Sequence, residues 1–508
     1  MLAPDILSLV EPLDEHNRRL LEQVHPERWQ NPRPAARYDL VVVGAGTAGL
    51  VSAAGAAGLG ARVALVERHL MGGDCLNTGC VPSKALIAAS RVWHSARNGE
   101  ALGAPPTIGT GDFTTVMERM RRLRAEIAVN DGAPRFKALG IDVFFGHARF
   151  VAGNALEVDG ARLAFKRAVL ATGARAATPP IPGLAEVGFL THETVFSLTT
   201  LPRRLAVIGA GAIGCELAQA FGRFGSQVTV FDVLPRVLPR EDDDAAALVA
   251  EVLARESVRL ELGVTLDEVL AKGTHKMVRF SRAGVAPAPI AVDEVLVAAG
   301  RAPNVAGLGL EAAGIEHGPR GVKVDERLRT TNPRVFACGD VASPVQFTHA
   351  ADAQARMVLR NALFFGRGKL SSLLIPSCTF TSPEVAHVGL LPAAAAAQGL
   401  KIQTVRVELA DLDRARLDGK TDGFLKLHVK AGSDELVGAT LVAARAGDLI
   451  GELCLAMRAG VGLKTIADTV HPYPTQCEVV KRAADAWNRT RLTPRAKSAF
   501  RLRFRMLR

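Results

Sequence analysis

Cys75 and Cys80 stand five positions apart in Gly72-Gly73-Asp74-Cys75-Leu76-Asn77-Thr78-Gly79-Cys80-Val81-Pro82-Ser83-Lys84. A sulfur at a helix N-terminus sees the positive end of the dipole and free backbone N–H donors, and both favour the reactive thiolate. The glycines make turns and the residues after Cys80 can start a helix, so the segment can supply that setting. Positions five apart lie well around a regular helix from each other. A bridge therefore requires Cys75 to lie in the turn, or in a distorted first turn, within disulfide reach. Taken alone, the segment fits a redox pair and two unrelated buried cysteines equally well. The chain has seven cysteines scattered over 508 residues. That is no secreted scaffold, and it favours a cytoplasmic chain with one special pair.

The elements around the pair narrow its chemistry. Tyr38 to Val43 reads as a buried parallel strand, followed by Gly44-Ala45-Gly46-Thr47-Ala48-Gly49, a helix of small residues, and a second strand ending at Glu67. Gly44, Gly46 and Gly49 allow a tight turn and let backbone approach a pyrophosphate at the helix N-terminus, while Glu67 can accept both ribose hydroxyls. The pattern recurs: Leu205 to Ile208 leads into Gly209, Gly211 and Gly214, and Gln227 to Phe231 ends at Asp232. In both copies the acid follows the first glycine by 23 residues (44 to 67, 209 to 232). Two dinucleotide sites in one chain suggest an electron relay, with a flavin at one and a nicotinamide at the other. The cysteines follow the first copy, so that site is expected to hold FAD, which can take hydride on one face and pass electrons to sulfur on the other. Asp232 favours NADH by repelling a 2′-phosphate, while Arg236 and Arg240 keep NADPH open.

The net charge of +11 invites a nucleic-acid reading. From Lys481 to Arg508, however, ten basic residues face one acid, so this tail holds +9 and the rest of the chain only +2. No nucleic-acid partner is expected. The uncharged run Leu40 to Ala61 is long enough to span a bilayer, but its six glycines and strand-then-turn pattern mark a buried βα unit. Residues 1–37 lack an apolar signal core, and a cytoplasmic location is expected.

With these motifs in this order, the chain resembles the pyridine nucleotide–disulfide oxidoreductases, the group of dihydrolipoamide dehydrogenase, glutathione reductase and mercuric reductase, from about Tyr38 to Arg482. The resemblance implies an α/β fold of two Rossmann-like domains, for FAD and NAD(P), plus an α+β C-terminal dimerisation domain. It divides the chain into an N-terminal extension (1–37), an FAD domain in two parts (38–183 and 300–370), a nicotinamide domain (184–299), a dimerisation domain (371–485) and a basic tail (486–508). Gly72 to Lys84 resembles the redox-active disulfide segment. Cys75 would then meet the substrate and Cys80 the flavin, with Gly73 and Lys84 contacting the cofactor. Lys84 and Glu216 match the family's ion pair near the flavin. Thr172 and Gly173, Gly300 and Arg301, and Gly339 and Asp340 resemble the flavin-domain return motifs, with Asp340 on the ribitol. His349 would open a helix near the pyrimidine ring. No resident metal site is implied.

One segment departs from the thiol–disulfide members, in which a histidine acid–base stands immediately before Pro-Thr. Here the chain reads His471-Pro472-Tyr473-Pro474-Thr475-Gln476-Cys477-Glu478, so Tyr473 takes the base position. A phenol with a pKa near 10 is a poor base at neutral pH. This weakens lipoamide and glutathione disulfide as substrates and is similar to the mercuric reductase branch. The vicinal C-terminal cysteines and N-terminal Cys-x-x-Cys module of that branch are absent from this sequence. The expected enzyme is a homodimer whose site is shared, with Tyr473 and Glu478 of one subunit facing Cys75 of the other. It would pass electrons to a small thiophilic molecule or a metal ion. The alternatives are a dihydrolipoamide dehydrogenase-type exchange and a low-turnover redox sensor.

Ile6 to Val24 predicts an amphipathic helix, a packing arm. The alternation of Phe500, Leu502, Phe504 and Met506 with arginines has a two-residue period and predicts a non-helical, disordered basic tail, with contact to an acidic membrane as the sharper alternative.

Overall fold

The computed structural model describes residues 4–105 and 111–508; the first three residues of the N-terminal extension lie outside the described residues. Two compact units make up the chain, Met1–Pro235 with Glu256–Leu373, and Arg236–Arg255 with Leu374–Arg508.

The first unit holds two parallel sheets. In one, Asp142–Phe145, Val63–Glu67, Tyr38–Val43, Ala161–Leu170 and Val335–Ala337 run parallel, extended by the antiparallel strands Ala155–Val158 and Ala148–Ala152. Its centre is apolar on both faces because helices cover both, so Leu40 to Val43 are essentially buried. In the other, Arg259–Leu262, Gln227–Asp232, Arg204–Ile208, Glu294–Val297 and Leu190–Thr191 run parallel. The two nucleotide folds expected from the repeated glycine motif are therefore both α/β. The second unit is built on a five-stranded antiparallel sheet, in the order Ser377–Thr379, Glu384–Gly389, Leu436–Ala443, Phe424–Lys430, Ile402–Glu408. The stretch Arg236–Arg255, which a purely sequential reading places with the nicotinamide fold, groups with this unit. Lys426 Nζ lies 2.8 Å from Asp242 and 2.7 Å from Asp244, and Arg406 pairs with Asp244 at 2.5 Å.

Both ends differ from the pattern reading. The N-terminal arm is two helices, Pro4–Ser8 and Glu15–Val24, because Pro12 interrupts the run and Asp14 caps the second helix at the Asn17 amide, 2.8 Å. The tail is not irregular: Pro494–Met506 is a helix, with Pro494 in its first turn and Thr493 accepting from the Ala496 amide. The alternation misled because a second period coexists with it. Ala496, Phe500 and Phe504 recur every fourth residue, as do Lys497, Arg501 and Arg505, so each set forms a stripe along the helix. Phe500, Leu502, Phe504 and Met506 are all exposed.

Candidate active site

Both glycine loops are built alike to the level of single atoms. Glu67 Oε2 accepts from the Ala45 amide at 2.7 Å and Oε1 from the His69 amide at 2.7 Å. Asp232 Oδ2 accepts from Ala210 at 2.6 Å and Oδ1 from Leu234 at 2.8 Å. Each acid thus braces its own loop as well as closing its strand. A Cβ on Gly49 would stand 1.8 Å from the Gly44 carbonyl oxygen, and one on Gly214 would stand 1.9 Å from that of Gly209. Gly49→Ala is therefore expected to yield protein with less than about a tenth of the wild-type flavin, read as the ratio of absorbance at 450 and 280 nm. Gly214→Ala should keep its flavin and lose bleaching by NADH.

The cysteine segment lies against the first loop. The Gly72 amide donates to the Ala45 carbonyl at 2.8 Å, and a Cβ on Gly73 would stand 2.7 Å from Gly46 Cα. The dinucleotide fit rests on this cradle: Gly46 opens the Thr47–Gly58 helix without a side-chain cap, and no atom lies within 4 Å of where a Cβ on Gly211 would point. Cys75 sits in a one-turn helix, Gly73–Asn77, and Cys80 begins the helix Cys80–Arg97. The break at Gly79, where a Cβ would meet the Asp74 carbonyl at 2.7 Å, is what brings residues five apart round to the same side.

The two sulfurs are unbridged and share a hydrogen bond. Cys80 is pushed down to about 6, first by the hydrogen bond from Cys75, against burial, and then by the Thr348 hydroxyl and the Lys84 charge. Donating that bond, together with burial, holds Cys75 far above the ordinary thiol range. Thr348 Oγ1, the first residue of the helix Thr348–Leu363, is 3.3 Å from Cys80 Sγ. His349 is the next residue of that helix, its ring stacked on Phe347. Lys84 Nζ meets Glu216 Oε2 at 2.8 Å, and Glu216 lies on the helix that follows the second glycine loop. Both nucleotide folds therefore reach the cysteine helix.

The return motifs converge as well. Ala174–Ala176 pairs with Arg301–Pro303, Thr172 Oγ1 donates to the Asn304 carbonyl at 2.7 Å, and the Asn304 amide donates to Gly173 at 2.9 Å. Gly300 immediately precedes that strand. Arg301 lies 3.2 Å from Asp340, contacts Asp74 and reaches His192 at 2.9 Å. Burial pushes Asp340 up against the Arg301 charge. Asp74 stays low despite its burial, because His192 and Arg301 favour its charged form. The Gly339 amide donates to Gln354 Oε1 at 2.8 Å. Asp74, His192 and Thr348 were missed as site residues by the motif reading. Asp74 adjoins Cys75 and Thr348 adjoins His349, so proximity to a motif was a usable signal; His192 had none.

Tyr473 and Glu478 belong to the second unit. The Tyr473 phenol is 68% exposed and donates to Asp413 Oδ2 at 2.9 Å, a bond that pushes its own titration up. His471 Nε2 is 2.8 Å from Glu452, and its side chain is only 6% exposed. Glu478 Oε1 accepts from Arg482 at 2.7 Å, while its Oε2 is buried without a hydrogen-bond partner.

Residues 38–355 match the family described as pyridine nucleotide-disulphide oxidoreductase, and residues 375–484 match its dimerisation domain. A mercuric reductase of Bacillus cereus is 35% identical over 447 residues, covering 88% of this chain and 71% of the relative. A dihydrolipoyl dehydrogenase of Thermus scotoductus is 34% identical, covering 88% of this chain and 97% of its own. A solved Cu(II) complex of the HOCl-induced flavoprotein disulfide reductase RclA from Escherichia coli superposes with a TM-score of 0.79 at 29% identity, over 89% of this chain and 99% of that one. The dimerisation domain supports a homodimer. The chain thus belongs to the pyridine nucleotide–disulphide oxidoreductases and is an NAD(P)H-dependent, FAD-containing disulfide oxidoreductase.

Proposed function

We propose that this enzyme, in the cytoplasm, passes electrons from NAD(P)H, with NADH preferred, through the flavin and the Cys75–Cys80 pair to a soft metal ion or a related thiophilic oxidant. The observation that carries this reading is the state of the segment from His471 to Glu478. Tyr473 keeps its proton at neutral pH because it donates to Asp413, and His471 is turned inward onto Glu452. His471 Nδ1 also faces the Thr469 carbonyl at 3.1 Å, so neither group is presented to a substrate thiol as the base that disulfide exchange requires. Capture of a soft cation needs no such base, because metal binding itself displaces the Cys75 proton to water. The likeness to mercuric reductases and to a reductase solved with Cu(II) supports the same class. FAD, when bound, supplies the step from hydride transfer to sulfur reduction. The residues of this chain do the rest. Gly44, Gly46, Gly49, Glu67, Gly73, Thr172, Gly173, Gly300, Arg301, Gly339, Asp340 and His349 hold the flavin. Gly209, Gly211, Gly214 and Asp232 hold the nicotinamide. Lys84 and Glu216 set the charge beside the pair, and Cys75 binds the acceptor. Arg236 is engaged by Asp243 and by the Pro239 carbonyl, which favours NADH over NADPH. With mercuric ion the balance is one NADH giving two electrons, metal reduced to the zero-valent state, and one proton released.

In the dimer, Tyr473 and Glu478 of one subunit would face Cys75 of the other. The test is turnover with NADH and with NADPH against mercuric ion, lipoamide and a quinone. Mercuric ion should turn over with NADH, lipoamide should stay near background, and Tyr473→His should raise lipoamide turnover at least about tenfold. Wild-type lipoamide rates equal to those with mercuric ion would install disulfide exchange instead, the reading that the dihydrolipoyl dehydrogenase relative favours. Slow turnover with all three acceptors would favour a redox sensor.

Among the described residues no helix is long and apolar enough to cross a membrane. The exposed apolar and basic stripes of Pro494–Met506 support peripheral contact with an acidic membrane surface. Co-sedimentation with phosphatidylserine liposomes should drop on deletion of residues 490–508; an unchanged pellet would dispose of the contact.

A further inference from the structure

Arg124 sits at 0% exposure on the helix Phe113–Ala128. Its Nη1 donates to the Asn77 carbonyl at 2.7 Å and its Nη2 to Asn17 Oδ1 at 2.7 Å, while its Nε is buried with no partner. The nearby carboxylate of Asp14 is taken by Arg121 instead, at 2.5 Å. A fully buried cation hydrogen-bonded only to neutral oxygens carries a heavy desolvation cost, and simple packing would be served better by an apolar side chain. The two oxygens that it reaches suggest what it is for.

Asn77 closes the one-turn helix of Cys75, so the guanidinium caps the negative end of that turn. Asn77 is itself 2% exposed, and its Nδ2 donates to the carbonyls of Met71 at 3.0 Å and Gly73 at 2.9 Å, tying the turn to its own start. On the other side, Asn17 is fully buried and its Nδ2 donates to the carbonyls of Val10 at 2.6 Å and Pro12 at 2.9 Å. An unbroken chain of buried hydrogen bonds therefore runs from the N-terminal arm, which lies outside residues 38–355, through Arg124 to the turn that carries Cys75.

We propose that Arg124, held by Asn17 of the N-terminal arm, is a positioning residue that fixes the Cys75 turn and biases the Cys75–Cys80 pair toward the disulfide. A disulfide accepts a narrow range of backbone separations and one dihedral geometry, whereas two thiols accept many. Holding the turn keeps one sulfur at high effective concentration near the other, which favours the bonded state. Releasing the turn favours the dithiol. The inference rests on Cys75 and Cys80 being the redox pair.

The test is equilibration of the FAD-loaded full chain in glutathione buffers, followed by alkylation of Cys75 and Cys80 and mass analysis. In that exchange two protein thiols give two electrons and two protons to glutathione disulfide, which leaves as two glutathiones. Asn17→Ala and Arg124→Gln should each shift the equilibrium constant about tenfold toward the dithiol, equal to about 30 mV for a two-electron couple. Arg124→Lys keeps the charge but not the two-pronged reach, and should shift it as far. Asn17→Ser, a gentler change, should move it in the same direction if Asn17→Ala does not fold. Shifts under threefold, a shift toward the disulfide, or full rescue by Arg124→Lys would overturn the positioning role. A wild-type pair that never oxidises across the buffers would instead remove the redox-pair reading itself.

Discussion

Cys75→Ser is expected to lower NADH-driven turnover of a thiophilic acceptor by about 10³-fold or more, with flavin content unchanged. The geometry separates the two sulfurs by protonation. Cys80 is the first residue of a long helix, beside the Thr348 hydroxyl and Lys84, and it titrates at about 6, so at pH 7 it is mostly thiolate. Cys75 supplies the hydrogen bond that stabilises that charge and keeps its own proton. Serine still donates such a bond, so Cys80 should stay acidic in the variant, while the sulfur proposed to bind the acceptor is gone. The wild-type thiolate fraction of Cys80 should fall as pH drops through about 6. The rate of its alkylation by iodoacetamide should follow that curve in wild type and variant alike. Bleaching of the 450 nm band by NADH should survive, because the second nucleotide fold is untouched. If the variant kept more than about a tenth of its turnover, the sulfurs would not be on the electron path and a plain flavin reductase would remain.

This division of labour was only partly legible in the sequence. The twin nucleotide folds could be read because the first and last glycines of each motif answer a steric demand, a Cβ on Gly44 or Gly209 also standing within 2.4–2.5 Å of a backbone carbonyl oxygen. A side chain at Gly49 or Gly214 would collide with backbone, so the motif cannot drift and the spacing to Glu67 and Asp232 repeats. The broken helix between Cys75 and Cys80 followed from the same logic, since no regular helix could join them. Pairs formed by residues distant in sequence left no period to detect. Lys84 and Glu216 lie 132 residues apart and were suggested only by family resemblance. The links of Arg301 to Asp74 and His192, and of Arg124 to Asn77, had no signal at all. At the C-terminus the helix is signalled by Thr493 and Pro494 at its start, whereas the alternation of Phe500 to Met506 carries a two-residue period that points away from one.

Lys84→Met and Glu216→Gln are expected to move the acidity of Cys80 in opposite directions. The Lys84 charge lowers the Cys80 titration and the Glu216 charge raises it. Losing the cation should therefore carry the Cys80 midpoint above 6, and losing the anion should carry it below, as read from the pH dependence of alkylation. Stability should respond asymmetrically. Glu216 is 7% exposed at its side chain and Lys84 34%. Lys84→Met leaves a buried carboxylate without its cation, a change that costs about 3–5 kcal/mol at full burial and less here because water reaches Lys84. Glu216→Gln leaves an ammonium that water can solvate. Thermal unfolding should thus rank wild type above Glu216→Gln and Glu216→Gln above Lys84→Met. Turnover should fall about 10²-fold in Lys84→Met, since that variant loses both the charge beside Cys80 and the tie between the two nucleotide folds. Midpoints that move in the same direction in both variants would show that Lys84 and Glu216 act through packing and not through their charges.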